Sequence, residues 1–546
     1  MPAVTVARIA WSMLLTSVLA SPAFAHPIAI PGTSQRLDVS GYTEGLAVVD
    51  TGGGKRQRPE AVGVLRVDGT PVSHLETHLE LRGQLGGPFE GGHQGAFNLV
   101  HTFQNYTPSL EFHEAYAGLQ LKSADVRLGI QRFAWGKLDG IPPTDVLNPR
   151  DLHDPLVADL EEAKIGIPAL QTTYYAPEVA GLALSDLRAT AVYVPLAVPS
   201  RLALLDERWF PSGVRPPTQL HVPQHTGELS IERALQRLCD RGKVSGASCK
   251  PVDVFLASDI SVAAALHTSN HRPPLHLDAG GIGARLAGSF RGMDWDLYHY
   301  TGPEVGPNAQ LDVGLVSRRF DPDTITANNR RITIGELQAR TAIRQTHSTI
   351  HMTGADLASP VGGATVRVEA AYFQDRPYLR IANDLVSEAL RHPRVHGPFY
   401  EQAFNRGCTA TRPCRGRVDL GELFPTSDAV EWGVGADYLW NGLFALLQLN
   451  QIVLLDSVPR LIIADPETRL TTTLRRRFMQ ERLELEVRAI YAIERGGWFA
   501  FPRVSYVVTD DLRVRLGYLA VGGSRNSLIG EFGDNDEVVM QVRYSF

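Results

Sequence analysis

The side chains best suited to chemistry crowd one stretch, 135–164. It holds Trp135, Lys137, Asp139, Asp145, Asn148, Arg150 and Asp151, with Asp154, Asp159, Glu161, Glu162 and Lys164 following. Pro142-Pro143, Asn148-Pro149 and Asp154-Pro155 punctuate it, so its backbone is stiff rather than periodic. Folded inward, such mixed charges would meet a passing solute as a constriction; left outside, they would be a solvated, capped turn. A weak Ca²⁺ site is a third reading, although no carboxylate spacing here matches a dedicated calcium loop. Cys239 and Cys249, and then Cys408 and Cys414, form two close pairs. Two local disulfides are the natural reading in an oxidising compartment, since neither the spacing nor the distance between the pairs suits zinc. His267, His271 and His276 sit beside Pro273-Pro274 and read as solvated loop residues. No G-x-S-x-G elbow, H-E-x-x-H or P-loop occurs, so no catalytic residue, metal or cofactor is expected and the chain does not read as an enzyme.

The elements that position these residues announce themselves by alternation. Leu483, Leu485, Val487, Ala489, Tyr491 and Ile493 lie opposite Arg482, Glu484, Glu486, Arg488 and Glu494. A strand sorts such charges onto one face, whereas a helix would scatter them. The same pattern marks strands near 37–49, 60–68, 72–86, 111–122, 124–134, 165–177, 186–195, 276–289, 292–302, 346–358, 363–374, 429–440, 443–455, 468–479, 482–494, 497–508, 511–522 and 535–546. Turns such as Asp68-Gly69, Arg291-Gly292, Gly362-Gly363 and Asn441-Gly442 alternate with long connections such as 196–275, 303–345 and 375–428. Short turns on one side and long loops on the other describe a transmembrane antiparallel up-and-down β-barrel of about eighteen strands, with sixteen as the alternative. Both cysteine pairs then fall in outside loops.

At the N-terminus, Arg8, the apolar Ile9 to Ala20 and Ser21-Pro22-Ala23-Phe24-Ala25 form a secretory signal. Residues 1–25 are expected to be removed, 26–36 to be a short periplasmic segment and 37–546 to be one barrel domain. In the last strand Val538, Met540, Val542, Tyr544 and Phe546 would face lipid, and Glu537, Gln541, Arg543 and Ser545 the lumen. Tyr544 and Phe546 resemble the signal read by outer-membrane assembly machinery. The segment Val126-Arg127-Leu128-Gly129-Ile130-Gln131-Arg132-Phe133-Ala134-Trp135-Gly136, with Asp145 to Leu152 after it, resembles a strand and loop of porin-like outer-membrane barrels of proteobacteria, the alginate-export-like and related uncharacterised families. That resemblance implies a barrel with a transport role and carries no substrate.

The lumen face would carry Glu76, Glu80, Arg82, Arg127, Asp294, Asp296, Arg367, Glu369, Glu484, Glu486, Arg488, Arg513, Arg515 and Arg543. These read either as cross-strand ion pairs bracing the wall or, in the final strands, as a basic wall favouring anions. The formal charge of -6, from 53 Lys+Arg and 59 Asp+Glu, argues against a nucleic-acid partner. The expected partners are outer-membrane lipid and lipopolysaccharide, the barrel-assembly machinery, a small polar solute and a further copy of the chain in a homo-oligomer. The expected function is diffusion of small or medium polar solutes across a Gram-negative outer membrane. Loops 135–164 and 303–345 would form the constriction, Ile332 to Ile343 supplying an amphipathic turn or helix. The alternative is a non-conducting scaffold, or the exit barrel of a lipid or polymer export system.

Overall fold

In the computed structural model the alternating segments become strands of 8 to 16 residues. The structure describes residues 28–29, 36–51, 57–86, 109–152, 162–176, 184–198, 200–202, 208–209, 219–220, 239–242, 252–256, 260–265, 280–306, 308–325, 330–346, 348–380, 414–422, 425–458 and 461–546. The expected secretory segment and the three histidines near Pro273 lie outside the described residues. The strands are β1 (Arg36–Asp50), β2 (Gln57–Val72), β3 (Leu75–Gly86), β4 (Ser109–Gln120), β5 (Ala124–Gln131), β6 (Ile167–Tyr175), β7 (Leu184–Val194), β8 (Gly281–Phe290) and β9 (Met293–Pro303). They continue with β10 (Thr349–Val361), β11 (Ala364–Pro377), β12 (Thr426–Trp440), β13 (Leu443–Leu454), β14 (Glu467–Phe478), β15 (Leu483–Ala492), β16 (Trp498–Val507), β17 (Leu512–Gly522) and β18 (Glu537–Ser545).

Each strand pairs antiparallel with the next, and β18 closes on β1 through Arg543↔Glu44 and Val539↔Val48. The result is a closed barrel of 18 strands. Gly41 and Phe546 exchange two backbone hydrogen bonds of 3.0 Å at the seam. Asn441 and Gly442 both have positive φ, 47° and 77°. Such a mirror-image two-residue turn matches the twist of its flanking strands. Short turns gather at one end and the long connections at the other.

Two sequence expectations are corrected. The β2–β3 hairpin turns at Ser73-His74, not at Asp68-Gly69; β2 runs on to Val72 with a register shift between Gly69 and Val72. The apolar pairs Leu65↔Leu81 and Val67↔Leu79 set that register, and the ladder outweighs the local turn preference of the dipeptide. The stretch Ile332–Ile343 is neither turn nor helix but part of a strand, Arg330–Thr346, paired along its length with Asn308–Ile325. Its β-branched Ile332, Thr333, Ile334, Thr341 and Ile343 favour an extended chain. That hairpin joins Gln219–Leu220, Val252–Leu256, Ile260–Ala265 and Cys414–Glu422 in a second, 6-stranded sheet drawn from three long connections.

Register fixes which residues share a face. At the register-paired outward positions of the barrel there is no Asp, Glu or Lys, and Arg476 is the one guanidinium. Leu128, Ile282, Leu297, Leu357, Leu447 and Leu516 stand 47–64% exposed there. Outward Tyr174, Phe290, Tyr438, Phe478 and Tyr506 ring the short-turn end; Tyr372, Tyr491, Trp498 and Tyr518 ring the loop end. From Trp498 to Tyr506 a strand tilted about 40° rises roughly 20 Å, near the height of the apolar band of a membrane barrel.

Candidate functional site

The site is built by the connection between β5 and β6. Its described residues, 132–152 and 162–166, do not leave the barrel but fold into it, and one carboxylate on the wall does most to hold them. Glu369 of β11, 1% exposed, accepts four hydrogen bonds. Lys137 N and Leu138 N donate to Oε2 at 3.0 and 3.2 Å; Thr144 N and Thr144 Oγ1 donate to Oε1 at 2.8 and 2.7 Å. The Lys137 ammonium bridges Asp296 of β9 and Asp356 of β10, 2.5 Å from the latter. Asp296 also accepts from Arg285 Nε at 2.9 Å, and Tyr298 donates to Asp356 at 2.7 Å. Farther along, Asn450 of β13 donates to the Ile141 carbonyl at 3.3 Å. The wall gives way where the loop presses closest: a Cβ on Gly283 would meet Trp135 at 2.7 Å, and one on Gly354 would meet Thr144 at 2.6 Å.

An apolar cluster lies beneath these polar anchors. Phe133, Trp135, Val146 and Leu147 of the loop pack on Ile167, Val192, Val194, Tyr298, Tyr300, Ile350, Met352 and Phe373 of β6 to β11. The loop's return limb makes a second excursion, toward β3, β4 and β18. Glu162 accepts from Arg543 at 3.2 Å and, through its carbonyl, from Arg82 at 3.4 Å. Arg201, from the next long connection, reaches Glu111 at 2.5 Å and Asp151 at 3.2 Å. Burial works against the Arg201 charge, but these carboxylates outweigh it and hold the guanidinium protonated more firmly than usual.

The seven constriction residues named from sequence divide by role. Trp135 and Asn148 are 3% and 2% exposed and act as packing and pinning groups. Asn148 Oδ1 accepts from Phe133 N at 2.6 Å, and its Nδ2 donates to the carbonyls of Gln131 and Ile165. Asp145 pairs with Arg150 at 2.7 Å and Lys164 at 3.0 Å, so its partners are cations of its own loop. Asp139 alone is exposed, within 3.6 Å of Arg367. Partial desolvation raises its carboxyl above the ordinary range although Arg367 pulls it down. Replacing Asn148 with Ala removes three hydrogen bonds from a closed site, about 2–3 kcal/mol of local stability. Protease nicking within 135–164 is expected to quicken several-fold; unchanged nicking would mean that Asn148 does not pin the loop.

The wall residues named from sequence all face inward by register, but they are not alike. Asp296 and Glu369 lie under the loop rather than along a passage. Glu76 pairs with Arg127 at 2.8 Å across Gly118, and Glu80 with Arg66 at 2.5 Å. Arg367 pairs with Asp437, and Glu486 with Arg503 and Arg488. Glu484 meets Arg477 at 2.8 Å, Arg515 donates to Ser505 at 3.2 Å and Arg543 meets Glu44 at 2.5 Å. Asp294 is exposed near the short turn after β8, and Arg513 stands at the same end of β17. Cross-strand pairing therefore runs through much of the wall. His78, Glu80 and Glu114 bring ligand-type atoms within 4.8 Å of one another, yet Arg66 and Arg132 already occupy those carboxylates, which suits an ion-pair cage better than a cation.

The loop contacts fall on β3, β4, β6 to β13 and β18. The inner faces of β14 to β17 carry Arg469, Arg475, Arg477, Arg488, Arg503, Arg513 and Arg515 against Glu467, Glu484 and Glu486. On β9 to β12 the balance is reversed, with Asp294, Asp296, Asp356, Glu369, Glu431 and Asp437 against Arg367 and Arg376. Sequence reasoning missed Thr144, Asp356 and Glu44, which no local motif marks. It also missed Arg208 and Trp209, which lie inside a connection without periodicity. Cys239 is disulfide-bonded; Cys249, Cys408 and the side chain of Cys414 lie outside the described residues.

Fold and site together define a closed 18-stranded barrel with a membrane-type outer belt and an inward-folded loop. No family model matches the chain and no curated protein matches it in sequence, so the alginate-export-like likeness stays a resemblance. Among solved structures it is similar to Pseudomonas aeruginosa OccK5 (OpdH), at 10% identity and TM-score 0.43, covering 93% of this chain and 98% of that one. The P. aeruginosa outer membrane protein OpdK gives 11% and 0.41 over 93% and 98%. Salmonella typhi OmpF gives 10% and 0.35 over 95% and 99%. At these values the likeness adds nothing to the architecture described above.

Proposed function

We propose that the protein is a porin-like diffusion channel of a Gram-negative outer membrane, passing small polar solutes with a preference for anions. The observation that carries this reading is the division of the lumen. Residues 132–152 are bolted over the acidic inner faces of β9 to β11, while the arginine-rich faces of β14 to β17 lie outside the contacts of the loop's described residues. A barrel of this strand number encloses an aqueous lumen unless loops fill it, and a wall dominated by one sign of charge selects the opposite sign. The constriction is then the gap between the loop and the basic wall, with Ile141, Pro143 and Asp139 on one side. Lipid and lipopolysaccharide surround the belt, and the edge formed by β18 is the segment offered to the assembly machinery.

Purified full-length protein in planar bilayers under a KCl gradient is expected to give a reversal potential on the chloride side, with anion permeability several-fold above cation permeability. A cation-selective current would sink the anion preference. The apolar cluster filling the β6 to β11 side favours a second reading, a non-conducting scaffold or exit barrel. Absence of current from folded protein would select that reading.

A further inference from the structure

The gap proposed above has one edge assigned to a residue pair, Ile141 over Asn450 of β13. The structure assigns its other edge to two residues far from that loop. Trp209, 3% exposed, is seated among Val48, Phe501, Leu519, Val521 and Val539, inward-facing residues at the loop ends of β1, β16, β17 and β18. Its ring lies 5.3 Å from that of Phe532. Beside it Arg208 meets Asp50 at 2.6 Å and Glu537 at 3.4 Å. Arg208 also donates to the carbonyls of Asp534 and Asp536 at 3.3 and 3.1 Å, and Asn535 donates to the Arg208 carbonyl at 2.9 Å.

This chain comes from β7, on another side of the barrel. On the way it is fastened once more, where Arg201-Leu202 pair with Asp151-Leu152 of the inward loop. Its described residues have two fastenings, one on the loop near β4 and one on the β17–β18–β1 wall. Phe501 and Arg503 are both inward-facing on β16, and Leu519 and Arg515 on β17. Trp209 thus stands just outside the start of the basic strip.

We infer that Arg208 and Trp209 are positioning residues, a latch seated on the β17–β18–β1 wall that sets, with Ile141, the size limit of the opening. This rests on the channel reading, and it adds a specificity-determining element that the first loop does not supply. A tryptophan seated in an apolar socket and braced by a guanidinium with two carboxylates is rigid, as a size limit requires. Freed, Trp209 would uncover Phe501 and Leu519 and widen the gap over the arginines.

The test compares wild-type full-length barrel with Trp209→Ala, Arg208→Gln and Trp209→Phe. Polymer exclusion in planar bilayers reads the opening, and hydroxyl-radical footprinting reads exposure of Phe501 and Leu519. Trp209→Ala and Arg208→Gln are expected to admit larger polymers and raise conductance about twofold or more, because conductance follows the narrowest section. Footprinting at Phe501 should rise, and Trp209→Phe should stay near wild type. Heat-modifiable migration of each variant controls for folding. A conducting Trp209→Ala variant with wild-type exclusion and wild-type footprint overturns the latch. A silent wild-type protein overturns the channel reading instead, and the footprint still decides whether Trp209 holds the segment.

Discussion

Glu369→Ala is expected to raise single-channel conductance several-fold, more than any other single substitution on the wall. The carboxylate satisfies three backbone N–H groups and one hydroxyl of the inward loop at a site 1% exposed. Leaving closed donors without an acceptor costs about 1–3 kcal/mol each, so the loop loses several kcal/mol of hold at its centre. Lys137 then remains as the main polar tether, through Asp296 and Asp356. Glu369→Gln should fall between wild type and Ala. An amide presents one acceptor and one donor. Turned toward Lys137 N and Leu138 N, its NH₂ opposes two donors; turned toward Thr144, it opposes the backbone N–H while the hydroxyl can rotate to accept. The order Ala above Gln above wild type, with folded protein in each case, is the signature of a carboxylate that anchors by accepting. Equal conductance in all three would mean that the loop is held by its apolar underside alone.

The barrel was legible in the sequence because a membrane wall writes itself with period two. Arg482 to Glu494 separates charge from apolar residues so cleanly that β15 needs no tertiary information, and the same holds for β17 and β18. The β2–β3 hairpin shows the limit of local signals. Asp68-Gly69 has the composition of a tight turn, but the ladder from Leu65 to Val72 against Leu75 to Leu81 gains backbone pairs by continuing. The hairpin at 308–346 was misread for a related reason. Arg331, Glu336, Arg340 and Arg344 give a loosely helical spacing of charge, and the β-branched residues between them decide the outcome.

The candidate site was only half legible. Inward folding of 135–164 is suggested by its prolines and mixed charge, and Asn148 and Lys137 stand out locally. What Lys137 meets does not stand out: Asp296 and Asp356 lie 159 and 219 residues away, and alternation places them on the lumen face without saying which strands the loop will cover. Glu369 looked like one more lumen carboxylate. Only the register that aligns Glu369 with Asp356 and Asp296 across three strands reveals a row of acids for one ammonium and a set of loop donors. Trp209 had no periodic context at all, since its partners are contributed by four strands from the two ends of the barrel sequence.

The second large effect concerns charge rather than width. Arg488→Glu combined with Arg515→Glu is expected to turn an anion-preferring channel into a cation-preferring one. Both side chains face inward on the part of the wall outside the loop's contacts, and neither contacts the Glu369 anchor. A unit charge about 4 Å from a permeating ion in water is worth on the order of 1 kcal/mol before screening, and reversal counts twice. Two reversals then shift relative permeability by about tenfold or more at low salt, and less in concentrated salt, where the screening length contracts to a few ångströms. Arg488 donates to Glu486 at 2.7 Å, so its reversal also removes a partner from that carboxylate; Arg503 remains to hold Glu486, which is why the fold should survive. The reversal potential of the double variant, measured at two salt concentrations, separates the alternatives. A shift toward the cation side that shrinks in concentrated salt places the arginines beside the ion path. An unmoved potential would mean that these guanidinium groups brace the wall and that solute, if it passes, passes elsewhere.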